Sequence, residues 1–204
     1  MEEKLPLVAL ISGRGSNLKA IIDATDPLVE IRAVISNRPQ AQGLLYATQA
    51  GIPTEVLDHS QFKTRIDFDT ALQHCIDYYQ PKLVVLAGFM RIFTPEFVAH
   101  YQGRLLNIHP SLLPAFRGLH THRRVLESAT QEHGASVHFV TEDLDAGPVI
   151  IQARVPVLPD DDEESLAARV LREEHRIYPQ AIHWFAQGRL QLQGQHALLD
   201  GQPV

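Results

Sequence analysis

Apolar positions along the chain fall into short β-branched runs separated by stretches of helical spacing. "LVALIS" (7–12) is a continuous apolar run of strand length, as expected of a strand covered on both faces. "SNLKAIIDA" then switches to a helical period, with Ser16 or Asn17 near its cap. "IRAVIS" repeats the strand pattern. Turn residues "NRPQ" follow it, and a helical "AQGLLYATQAG" is ended by Gly51. "TEVLD" is a short third strand. From Gln61 to Tyr79 the spacing predicts a longer helix with Phe68, Leu72, Cys75, Ile76 and Tyr79 on one stripe, stopped by Pro81. "KLVVLAG" is a fourth strand, "TPEFVAHY" a short helix with Pro95 in its first turn, and "RLLNIH" a fifth strand. "LHTHRRVLES" predicts another helix.

The pattern changes after residue 130. "GASVHFVTEDLDAGPVIIQARVPV" gives two alternating strands about a turn-rich centre, which predicts antiparallel pairing. An acid-led helix follows from Asp162 to Gln187, with Pro179 expected to kink or break it, and "RLQLQ" and "HALLD" are expected as short edge strands. The expected fold is therefore α/β: a doubly wound, mostly parallel sheet of Rossmann-like type with an antiparallel C-terminal part. The expected organisation is a single domain. Its half 1–110 carries a nucleotide or phosphate, and its half 111–204 carries a turn and the long helix.

Composition narrows the function. With 18 basic against 24 acidic residues and no Lys/Arg-rich run, binding to a nucleic-acid backbone is not favoured. A single cysteine, Cys75, excludes an internal disulfide and suits a reducing compartment. The N-terminus has neither a basic n-region nor an apolar h-region, so the expected location is cytoplasmic, with no membrane partner.

In doubly wound sheets the site lies beyond the carboxyl ends of the strands, which directs attention to Gly13–Asn17, Gly88–Arg91 and Asn107–His109. "SGRGSNL" lets backbone approach an anion at a helix N-terminus. Leu18 stands where a dinucleotide fingerprint needs glycine, and strand two ends in "ISN" without an acid for a ribose. Gly15, Ser16 and Asn17 are accordingly read as holding one phosphate. Asn107 and His109, two apart on a strand that Pro110 must end, project together. An amide donor beside an imidazole suits a developing oxyanion. The turn "TEDLDAGPV" offers Glu142, Asp143 and Asp145 as the acid facing that imidazole, and Asp145 lies nearest the glycine bend. Glu174 falls on the apolar stripe Leu166, Val170, Ile177, Ala181, where a carboxylate is costly unless it meets a cation or amine. Arg65 precedes Phe68 and Leu72 on theirs and suits a carboxylate ligand. His120, His122, His133 and His138 lack a metal-binding spacing, so no metal is expected.

"LISGRGSNL", "VVLAGFMRIF", "GRLLNIHPSLLPAFRGLHTH", "HGASVHFVTEDLDAGPVIIQ" and "EEHRIYP" together resemble the folate-dependent phosphoribosylglycinamide formyltransferases over nearly the whole chain. The resemblance implies transfer of a formyl group from the co-substrate 10-formyltetrahydrofolate to the amine of 5-phosphoribosylglycinamide, in purine biosynthesis. It implies catalytic roles for Asn107, His109 and Asp145, and phosphate binding by Gly15, Ser16 and Asn17. Glu174 would meet the glycinamide end. The folate would be held by Arg65, by Met90, Arg91, Ile92 and Phe93, by Asn107, and by Thr141, Glu142, Asp143, Leu144 and Asp145. Ala115 and Arg117 depart from some relatives, which have Lys and Pro there, and the loop "DATDPLVEIRA" is shorter than in some. The implied enzyme is a monomer or homodimer. Rival readings are another 10-formyltetrahydrofolate-using formyltransferase or hydrolase, each expected to carry an additional domain, and a non-catalytic phosphometabolite-binding domain.

Overall fold

The computed structural model describes residues 4–128 and 130–204, which form two compact units dividing between Asn107 and Ile108. The first unit is α/β. Strands β1 (Leu5–Ile11), β2 (Val29–Ser36), β3 (Thr54–Val56), β4 (Leu83–Leu86) and β5 (Leu105–His109, whose end passes the division) lie in the order β3-β2-β1-β4-β5. All four pairings are parallel. Parallel strands covered on both faces need apolar side chains on both, and Leu7–Ile11 and Leu83–Val85 are fully buried. The order reverses between β1 and β4, so the topological switch point lies beyond Ile11 and Leu86. Helices α1 (Ser16–Asp23) and α2 (Gly43–Gln49) pack on each other, as do α3 (Arg65–Tyr78) and α4 (Pro95–His100).

Local chemistry moves several boundaries. The residue capping α1 is Gly15, with φ 74°, and not Ser16 or Asn17. The helix expected from Gln61 begins only at Arg65. His59–Gln61 is a separate 3₁₀ turn, and the Thr64 side chain accepts the Asp67 N–H, fixing the start of α3. The buried face of α3 is Phe68, Asp69, Leu72 and Ile76, so Cys75 and Tyr79 stand only half-buried at its margin.

In the second unit α5 spans Thr121–Leu126. Strands β6 (Glu132–Phe139) and β7 (Val149–Pro156) pair antiparallel, as the alternation predicts. Helix α6 (Glu163–Ala186) opens on a capping box between Asp162 and Ser165. It runs unbroken through Pro179, because Ile177, Tyr178, Ala181 and Ile182 are buried on both sides of it and that packing holds the helical path. "RLQLQ" and "HALLD" form a separate small antiparallel sheet in which β8 (Leu190–Gln193) is an edge strand as expected, while β9 (His196–Leu199) is central, paired with β8 and with β10 (Gln202–Pro203).

Candidate active site

The first unit gathers polar groups at its switch point. Gly15 needs its left-handed backbone and its lack of a side chain, since a Cβ there would lie 2.4 Å from Gly43 Cα. The close approach is fixed by the Gly43 N–H donating to Gly13 O at 3.0 Å. No side chain at the cap position takes up the first-turn N–H groups of α1. Uncapped first-turn N–H groups of this kind favour an anion. Asn17 is buried and Ser16 partly so. Across the switch point the Ser12 hydroxyl donates to Asn37 Oδ1 at 2.6 Å and accepts the Met90 N–H at 2.8 Å. Met90 and Ile92 are exposed while Phe93 is buried, and Arg91 lies over the Phe68 ring at 4.9 Å. Arg65 stands exposed in the first turn of α3. Asn107 is the one half-exposed residue of β5.

The second unit brings His109 and Asp145 together. His109 Nδ1 lies 3.4 Å from Asp145 Oδ2, and both side chains are more than nine-tenths buried. His109 Nε2 lies 3.0 Å from the Phe116 carbonyl. A carbonyl only accepts, so Nε2 carries a hydrogen. Asp145 Oδ2 also accepts the Gly118 N–H at 2.9 Å. The carboxylate reaches the ring because Asp145 adopts φ 48°, a conformation aspartate tolerates better than most residues, at the end of the turn Thr141–Asp145. Within that turn Thr141 Oγ1 donates to Asp143 O at 3.4 Å, while Glu142, Asp143 and Leu144 are exposed. Glu174 is buried on the inner face of α6, in line with Val170, Ile177 and Tyr178.

A buried imidazole held against a carboxylate is a candidate for general acid–base work. The model of the formyl transferase family matches residues 5–182. The chain belongs to the formyl transferase family. Phosphoribosylglycinamide formyltransferase of Escherichia coli (strain K12) is 58% identical over 199 residues, covering 96% of this chain and 94% of its own length. The trifunctional purine biosynthetic protein adenosine-3 of Homo sapiens is 44% identical over 194 residues, 94% of this chain but 19% of that protein. Among solved structures, the phosphoribosylglycinamide formyltransferase of Coxiella burnetii in complex with CHES superposes with a TM-score of 0.95 at 55% identity. That match covers 99% of this chain and 96% of the other.

This formyl transferase surrounds its His–Asp pair with groups that sequence reasoning missed. His138, weighed above only as a metal ligand, points Nε2 at Asp145 Oδ1 across 3.8 Å, and its Nδ1 donates to Phe139 O at 2.8 Å. Burial holds its pKa below the usual histidine value, against the raising effect of the Phe139 hydrogen bond and of Asp145. The alternation of Ser136 and His138 along β6 was the available signal. The Ser136 hydroxyl donates to Ser111 O at 2.6 Å and accepts the Leu113 N–H at 3.0 Å. Gln152, its cross-strand partner, donates to Leu113 O at 2.9 Å. Those bonds fix the loop that carries the Phe116 carbonyl and the Gly118 N–H, and nothing in residue spacing announces backbone groups. His122 and His133 face each other at 3.0 Å. Burial, followed by the neighbouring imidazoles, pushes His133 down to about 4. Among the described residues no cluster of three or more His, Cys, Asp or Glu could hold a metal ion, and no helix is long and apolar enough to cross a membrane.

Proposed function

We propose that this formyl transferase moves the formyl group of 10-formyltetrahydrofolate to the amine of 5-phosphoribosylglycinamide, by direct acyl transfer through a tetrahedral intermediate. The observation that carries the reading is the buried His109–Asp145 pair at 3.4 Å, in a chain whose relatives of near-equal length bear that enzyme's name. The substrate amine attacks the formyl carbon and the carbonyl π pair moves onto oxygen. The bond from carbon to N10 then breaks as a proton passes from the amine to N10.

Asn107 donates to the oxyanion, and His109 supplies the second donor and relays the proton directly or through water. Nδ1 of His109 faces Asp145 and its Nε2–H donates to the Phe116 carbonyl. Asp145 keeps the ring oriented, and the oxyanion takes the Nε2–H over from the Phe116 carbonyl. Alignment of the two substrates supplies much of the remaining rate.

Gly15, Ser16 and Asn17 hold the ribonucleotide phosphate at the uncapped N-terminus of α1. Glu174, buried on the inner face of α6, meets the glycinamide amine. The folate lies along Met90, Arg91, Ile92 and Phe93, Asn107, and Thr141, Glu142, Asp143, Leu144 and Asp145, and Arg65 takes its carboxylate tail. Residues 1–110 and 111–204 thus act as a phosphate half and a folate-turn half of one enzyme, working in the cytoplasm as a monomer or homodimer. The test is a spectroscopic assay of 10-formyltetrahydrofolate consumption with 5-phosphoribosylglycinamide as acceptor. Turnover that needs both substrates supports the reading. Loss of the formyl group to water alone would make the protein a hydrolase, and binding without turnover would make it a sensor.

A further inference from the structure

Between β4 and α4 the chain passes through Gly88–Thr94 without helix or strand. Backbone N–H groups in such a stretch need partners other than a ladder. Two are held by side chains from elsewhere in the same unit. Met90 N–H donates to Ser12 Oγ at 2.8 Å, and Thr94 N–H donates to Asp69 Oδ2 at 2.6 Å. The Ser12 hydrogen is committed to Asn37, so its oxygen offers Met90 lone pairs only. Between these points Phe89 and Phe93 turn inward and stack at 5.5 Å, and Phe93 stacks on Phe97 at 4.3 Å. Met90 and Ile92 are left 64% and 54% exposed. The segment is pinned at both ends, and its outward side chains are the ones assigned above to the folate.

Asp69 stands out by its burial. It is 2% exposed, on the face of α3 that otherwise holds Phe68, Leu72 and Ile76. One carboxylate oxygen bonds Thr94, while the other, Oδ1, is buried with no hydrogen-bond partner. Burial raises its carboxyl pKa, offset by the Thr94 hydrogen bonds and by the charges of Arg65 and Arg91. A leucine would suit this stripe at lower cost. What the carboxylate adds is a short, charge-assisted bond to the backbone where the loop ends and α4 begins. Thr94 is also the N-cap of α4, its hydroxyl accepting the Phe97 N–H at 3.3 Å.

We propose that Asp69 is a positioning residue for the formyl donor: by fixing Thr94, while Ser12 fixes Met90, it holds Met90–Phe93 in the shape that receives the folate. The inference rests on the assignment of that segment to the folate. Asp69→Ala frees the Thr94 end and raises KM for 10-formyltetrahydrofolate about tenfold, as expected for loss of one charge-assisted hydrogen bond that orders a binding segment. The ribonucleotide KM and kcat stay within about twofold, because neither the phosphate loop nor the reacting atoms are touched. Asp69→Asn keeps an oxygen acceptor for the Thr94 N–H and recovers most of the loss, whereas Asp69→Leu, which fills the space without an acceptor, does not.

A folded Asp69→Ala protein with an unaltered folate KM, or with both KM values raised equally, overturns the inference. Should that variant fail to fold, Asp69→Leu, which suits the apolar stripe of α3, carries the test at the Thr94 end and Ser12→Ala at the Met90 end. Each raises the folate KM alone, and if both leave it unchanged the inference falls. Inactivity of the unaltered protein would overturn the functional reading and this inference with it. Active protein with indifferent variants overturns the inference alone.

Discussion

A Cβ placed on Gly147 would stand 1.8 Å from the carbonyl oxygen of Phe139. Phe139 closes β6, and its N–H donates to Pro148 O at 3.0 Å, so the two sides of the turn are joined backbone to backbone at this point. Gly147→Ala therefore cannot be absorbed by a side-chain rotation. The turn has to open, and Asp145, two residues earlier, moves with it. The expected outcome is a loss of stability of about 1–3 kcal/mol from overpacking, read as a lowered urea midpoint. A fall in kcat should accompany it. Wild-type stability in Gly147→Ala would mean that the turn is far more compliant than its contacts imply.

The contact between His109 and Asp145 makes a separable prediction about rate. His109→Ala removes the donor and proton relay proposed above and should lower kcat by roughly 10²–10⁴-fold, while affinity for the ribonucleotide measured by titration calorimetry holds. Asp145→Asn keeps an acceptor for the Gly118 N–H but removes the charge facing the ring. It should lower kcat by a smaller factor, about 10–100-fold. Near-normal turnover in His109→Ala would take the imidazole out of the chemistry.

Much of this was legible in the sequence because it lies on regular elements. A period of two on β5 places Asn107 and His109 on one face, a helical period places Glu174 among buried residues, and Pro110 ends the strand. What stayed hidden belongs to backbone groups and to residues whose partners are distant in the chain. Asp69 looks like one more polar helix residue until Thr94 is found against it, 25 positions away. The Phe116 carbonyl and Gly118 N–H carry no side-chain signature at all. Helix ends moved for the same reason. Thr64 and Gly15 decide where α3 and α1 begin through single hydrogen bonds and one positive φ, which apolar periodicity does not encode. Pro179 misled in the other direction, since packing on both sides outweighs the lost N–H.

Histidines give the stability a pH dependence whose sign is fixed. Burial pushes the pKa of His133 from 6.5 down to about 4, and those of His122 and His138 are lowered for the same leading reason. Above pH 6.5 these rings are neutral whether the chain is folded or not, and they add no slope. Below it the unfolded chain takes up protons that the folded protein refuses, so stability is lost as pH falls from about 6.5 towards 4. Asp69, whose carboxyl is raised by burial, opposes the trend at the acid end of the window. Urea midpoints at a series of pH values should decline across this interval, and the decline should be shallower in His133→Gln. A flat profile in the unaltered protein would mean that these rings titrate as they do in water.

Two glycines of one loop should respond to substitution very differently. Gly15 combines φ 74° with a neighbour, Gly43 Cα, 2.4 Å from where a Cβ would sit. Backbone meets backbone there, so the contact cannot be relieved by rotating a side chain. Gly15→Ala should cost about 2–4 kcal/mol from the left-handed conformation and the forced separation together. A Cβ on Gly13, by contrast, meets nothing within 4 Å, so Gly13→Ala should unfold within about 0.5 kcal/mol of the unaltered protein. If the surviving fraction of Gly15→Ala folds, α1 must have shifted away from α2, displacing the first-turn N–H groups from the phosphate position proposed above. Its KM for the ribonucleotide should then rise while that for the folate does not. Equal stability of the two variants would contradict the close approach of Gly15 to Gly43.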